Sequence, residues 1–166
     1  MWQQAAHDLI VCANILSDAS RDKDTRQSPD SSYLPRIWRT SMMLYGLAAE
    51  NLIKGVIVAK NPFLASKGNL PNWFTKHNLA SLAVRAGLPV LSPQQHLLKR
   101  LQNYVESGKY PVARQEGQGG STWVSFGAVD SNDILRLLEY LEEELRGASG
   151  GFVVPHPRLA AIHRQR

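Results

Sequence analysis

Residues 41–60 read "SMMLYGLAAENLIKGVIVAK", and the fold turns on what this stretch can be. It is the greasiest part of the chain, yet Glu50, Asn51 and Lys54 interrupt the apolar run from Met42 to Ala59. A membrane span would have to carry those three polar groups through hydrocarbon, whereas a helix inside a protein can pair them. Upstream, Pro35 suits a first helical turn, and Ile37, Trp38, Met42, Leu44 and Leu47 follow at helical spacing. Downstream, Pro62 disfavours helical geometry at Asn61 and ends the element near Lys60. The result is a helix of about 25 residues, longer than the average. Its C-terminal half is apolar almost all round, which places it in the middle of a helical bundle.

The remaining segments follow from the same periodicity. Residues 2–18 form a first helix, with Leu9, Ile10, Ala13 and Leu16 on one face. Residues 17–32 are polar and without period, hence an exposed loop. After the turn chemistry of "ASKGNLPNW", a short helix runs from about Lys76 to Ala86 and closes at Gly87 and Pro89. "LSPQQHLLKRLQNYVESGKYP" gives a helix with Ser92 as N-cap, Pro93 at the first helical position and Gly108 at its end. "ARQEGQGGSTWVSFG" reads as a long loop or brief hairpin. Asp130 or Ser131 caps "NDILRLLEYLEEELRG", whose acidic residues are expected on the outer face. The expected fold is all-α, an antiparallel bundle of four to five helices with a short loop or hairpin insertion, over residues 1–146. Residues 147–166 are a linker and a basic tail.

Composition narrows the function classes. The net charge of +5 favours a polyanionic partner only mildly, because scattered lysines give the same total. The single cysteine excludes an internal disulfide and fits a reducing compartment. Cys12 lies in "LIVCANIL" and reads as a small core residue rather than a nucleophile. "MWQQAAHDLI" lacks the basic region of a secretory signal, so a cytoplasmic protein is expected. The five histidines make no ligand pair at helical spacing, so neither metal nor cofactor is expected, and His96 reads as a solvated residue.

Three stretches, in this order, resemble the HEPN family of helical nucleotide- and RNA-associated domains. "LAAENLIKGVIV" resembles that family's long central helix, with a Glu and a Lys one turn apart. "KHNLASLAVRAGL" is similar to its His-polar-Leu turn before a short helix. "LQNYVESGKYPV" is similar to its tyrosine-rich helix end and Arg-Tyr-Pro step, with Lys109 in place of the arginine. With the last amphipathic helix the resemblance covers roughly residues 3–145. It implies a dimeric module that contacts RNA or a nucleotide, or that partners a nucleotidyltransferase-type enzyme in toxin–antitoxin or defence systems.

The residues themselves keep bland and functional readings side by side. Glu50 and Lys54 stand at the favoured spacing for a helical ion pair, which can fix helix register or meet a ligand. His77 can cap the short helix, bond a neighbouring loop or touch a ligand. Tyr104, Lys109 and Tyr110 can stack on a base and contact phosphate, or simply end a helix whose dipole Lys109 offsets. The long helix also carries more apolar surface than one face of a small bundle needs, which points to a homodimer built partly on residues 37–59.

Catalytically active members imply an Arg, four to six residues, then a His, with arginine holding the scissile phosphate and histidine moving a proton. Arg158 and His163 match that spacing. Against them, 12 Arg and 5 His in 166 residues yield roughly one match by accident. The pair also follows "GASGG" and two prolines, in a terminus expected to fray, whereas catalytic groups must be held firmly. The reading therefore leans to a non-catalytic binding module. A metal-independent ribonuclease and a purely protein-interacting bundle are the alternatives.

Overall fold

The long helix around Glu50 sits where its apolar surface requires. In the computed structural model, which describes residues 2–21, 34–66, 70–109 and 130–151, it runs over Leu34–Lys60 as α2. Around it are α1 (Trp2–Arg21), α3 (Phe63–Ser66), α4 (Asn72–Thr75), α5 (Leu79–Arg85), α6 (Ser92–Lys109) and α7 (Asp130–Ala148). The described residues are all-helical, with four long helices and three short ones. α1, α5, α6 and α7 all pack against α2. Met42, Tyr45, Ala48, Ala49, Leu52 and Ile53 of α2 are buried among Ile10, Leu98, Leu101, Ile134, Leu138 and their neighbours. By length and composition Ile37–Lys60 could cross a membrane, but 67% of its most apolar window is buried inside the protein. The surface expected to seek a second chain is thus largely covered within one.

Close approach explains α2's glycines. A Cβ on Gly46 would stand 2.6 Å from Val105 Cγ2 and 3.0 Å from the Leu101 carbonyl oxygen, so α6 lies directly on the α2 backbone there. Across α1 and α2, the Tyr45 hydroxyl donates to Asn14 Oδ1 at 2.7 Å, satisfying two polar groups inside the core.

Several boundaries differ from those the sequence indicates. Helix α1 continues to Arg21, because Ser17 and Ser20 extend the buried stripe of Ala6, Ile10 and Ala13 and the Ser20 hydroxyl bonds the Ser17 carbonyl. Cys12 is exposed rather than in the core, since it falls beside Val11 and Ile15 on the opposite face. The short helix starts at Leu79, not Lys76, with Asn78 as N-cap accepting from the Ser81 N–H at 2.9 Å. Its end is as expected. Gly87 takes φ +64°, and Leu88 N–H bonds back to the Ala83 carbonyl in a Schellman closure.

Ser92 lies within α6 rather than before it. Leu91 holds the cap position, its N–H donating to Gln94 Oε1 at 2.8 Å, half of a capping box. Gly108 does not end α6, which runs on to Lys109. Helix α7 starts at Asp130, so Asp130 and Ser131, read as caps, lie within its first turn. Its acidic residues do not all face outward: Glu142 is buried. The hairpin expected within 113–127 and the tail after 151 lie outside the described residues.

Candidate functional site

Glu50 and Lys54 follow each other by one turn of α2, on a part of the helix that its neighbours bury. Both side chains are almost wholly shielded, at 6% and 8% exposure. Lys54 Nζ donates to Glu50 Oε1 at 2.6 Å. The second carboxylate oxygen, Oε2, takes His77 Nδ1 at 2.7 Å. Because a lysine-paired carboxylate only accepts, His77 presents its hydrogen on Nδ1. His77 is held there because Asn78, not His77, caps α5, which turns the imidazole back across α2. The expectation that His77 caps the short helix is corrected accordingly. It remains 29% exposed, so the cluster reaches from the core to the surface.

Aromatic rings close the cluster from below. Lys54 Nζ stands 5.2 Å from the centre of the buried Phe74 ring, a cation–π contact that offsets part of its desolvation. Phe74 in turn packs edge-on against Trp2 of α1, at 5.8 Å, and against Trp73, at 5.7 Å. Arg85 lies over the Trp73 ring, 4.6 Å from its centre. Two rings packed edge-on thus lie between two cations, in the order Lys54, Phe74, Trp73, Arg85.

The other residues singled out in the sequence do not join this cluster. Tyr104 is partly buried on α6 and meets Trp38 edge-to-face at 5.9 Å. Trp38 is twelve positions before Glu50 on the same helix, or about 18 Å along its axis. Lys109 is the last residue of α6, while Tyr110, Arg158 and His163 lie outside the described residues.

A second polar pair escaped sequence reasoning. Glu142 Oε1 of α7 lies 2.7 Å from His7 Nε2 and 3.5 Å from Gln3 Nε2, with the glutamate side chain only 3% exposed. It ties α1 to α7. The signal was present: Glu142 falls four residues after Leu138 and three before Leu145, inside the apolar stripe. Two residues earlier on α7, burial and then the charge of Glu144 raise the Tyr140 phenol above its ordinary 10.0.

Chemically, the Glu50 cluster offers a carboxylate, an ammonium and an imidazole within hydrogen-bonding distance, an arrangement suited to holding polar ligand groups or to fixing the core. Among the described residues no group of three His, Cys, Asp or Glu side chains could hold a metal ion. Set against known proteins, the chain matches no family model, no curated protein and no solved structure.

Proposed function

We propose that this chain is a HEPN-like helical module, an antiparallel bundle that works as a homodimer in the cytoplasm and binds RNA or a nucleotide, or partners a nucleotidyltransferase-type enzyme of a toxin–antitoxin or defence system. One observation carries the reading: Glu50, Lys54 and His77, from two separate motifs of the resemblance, converge in one cluster that opens towards solvent at His77. A buried ion pair is weak evidence of stabilisation by itself, because desolvation offsets much of its attraction. An imidazole hydrogen-bonded to the pair and partly exposed gives a ligand a point of contact. The two cations and the rings between them supply charge and stacking, the two interactions that single-stranded nucleic acid needs.

The test is incubation of purified protein with total RNA and with labelled nucleotides, wild type beside His77→Ala and His163→Ala. Binding without cleavage, weakened by His77→Ala, is expected. Cleavage independent of divalent ions and lost in His163→Ala would replace this reading with the ribonuclease. Binding to neither RNA nor nucleotide would leave only the protein-interacting bundle. Light scattering on the same samples tests the homodimer, for which a mass of 18.5 kDa would be the contrary result.

A further inference from the structure

The positive charge of this protein is not spread evenly. Residues 51–105 contain seven of the 19 Lys and Arg and none of the 14 Asp and Glu. The remaining 12 basic and 14 acidic residues leave the rest of the chain slightly negative, so this middle stretch carries the whole excess. Lys54 is spent on Glu50. Three others are exposed on and around α5. Lys60, exposed at the end of α2, donates to the Ala86 carbonyl at 2.7 Å, which fixes it at the C-terminus of α5. Arg85, the neighbour of Ala86, is exposed and rests on Trp73. Lys76, also exposed, follows α4 three residues after Trp73.

Arg85 is the pivot. Its guanidinium has no acidic partner among the described residues, and the indole beneath it restricts the side chain. A guanidinium held over a ring offers its N–H edge to phosphate and its outer plane to a base. The aromatic interleaving continues at Phe63, 80% exposed three residues beyond Lys60. Charge alone would suit any polyanion. Rings and a stacked guanidinium among the cations favour one with bases, since every base has a face that stacks on them whatever the sequence.

We infer that the face carrying Lys60, Trp73, Lys76 and Arg85, all from the stretch without Asp or Glu, is the track on which single-stranded RNA lies, Arg85 on Trp73 gripping phosphate or base. The inference rests on the RNA-binding reading above and extends it outward from the Glu50 cluster, through Trp73 and Arg85, to the surface.

The experiment is fluorescence anisotropy of full-length protein with a labelled single-stranded RNA, across about 50 to 200 mM salt. Wild type should bind with affinity falling steeply as salt rises. Arg85→Ala with Lys76→Ala should bind several-fold more weakly, with a slope shallower by about 1.4, two phosphate contacts at about 0.7 each. Arg85→Lys should keep the slope and still lose affinity, because an ammonium lacks the planar fork. Arg136→Ala, an exposed cation on α7, should leave both unchanged. The altered side chains are exposed, and equal melting temperatures verify that each variant folds; Lys76→Glu is a second probe should the double variant melt early. If wild type binds RNA and these variants bind with the same affinity and slope, this inference fails while the RNA-binding reading stands. If wild type ignores RNA, both fail, and capture by anionic phospholipid vesicles in a parallel arm would make the face a membrane contact instead.

Discussion

Glu50 accepts from two side chains at once, and each of its oxygens has one partner. Removing it strands Lys54, which at 8% exposure keeps, among the described residues, the face of Phe74 for compensation. Glu50→Ala should therefore destabilise by about 3–5 kcal/mol, as breaking a buried pair from one side does. Glu143→Ala, on the exposed side of α7, should stay within about 0.5 kcal/mol. Chemical denaturation of the two variants in parallel checks this, and equal midpoints would mean that Glu50 is as well solvated as Glu143. Tyr140 gives a pH counterpart. Burial first, then the Glu144 charge, raises its folded-state pKa above 10.0. As pH climbs through 10.0 the unfolded chain gives up this proton before the folded one does. Stability present at neutral pH is consequently lost above 10.0, up through the folded value. Tyr140→Phe should flatten that alkaline loss relative to wild type, measured by melting temperature on either side of 10.0; identical alkaline slopes would contradict it. At this scale the Glu50–Lys54 pair was legible because its spacing is local. The partners supplied by distant elements, His77 for Glu50 and His7 for Glu142, were not.

Helix pairs are set by a few close contacts rather than by apolar area alone. Gly46 lets the α6 backbone approach α2 where Val105 Cγ2 and the Leu101 carbonyl leave no room for a methyl group. Gly46→Ala should cost about 1–3 kcal/mol through overpacking, despite alanine's better helix propensity. The remedy is specific: Val105→Ala removes the atom at 2.6 Å, so the double variant should recover part of the loss. A double-mutant cycle by thermal melting measures the coupling, and purely additive penalties would show that the helices separate freely. The long helices were readable because their apolar positions repeat every three to four residues over many turns. Ends were harder. Leu91 is no capping residue by type and succeeds only because Gln94 reaches back to it. Asn78 outcompetes its neighbour His77 because its carbonyl reaches the Ser81 N–H. α3 and α4 hold four residues each, too few to express any period.

The whole molecule is organised around one helix, since α1, α5, α6 and α7 all lay their apolar faces on α2. That centrality was visible in the lack of a polar face between Met42 and Ala59. What the sequence could not supply is how much of this surface one chain covers: Leu52, Ile53 and Val56 are fully buried without a second copy. The consequence is a gradient of local stability. An element held on several sides can expose its amides only when the domain opens as a whole, while a short helix held on few sides can open alone. Amides of Leu52 to Ile57 should then exchange with a free energy close to that of global unfolding, and those of Leu82 to Ala86 with a lower one. The Schellman closure at Gly87 sharpens the contrast, because its bonds are local and open together with α5. Native-state hydrogen exchange at increasing denaturant resolves the two classes. Exchange from α2 as fast as from α5 would mean that the neighbours of α2 leave it without unfolding, and that the buried Glu50–Lys54 pair meets water far more often than its burial allows.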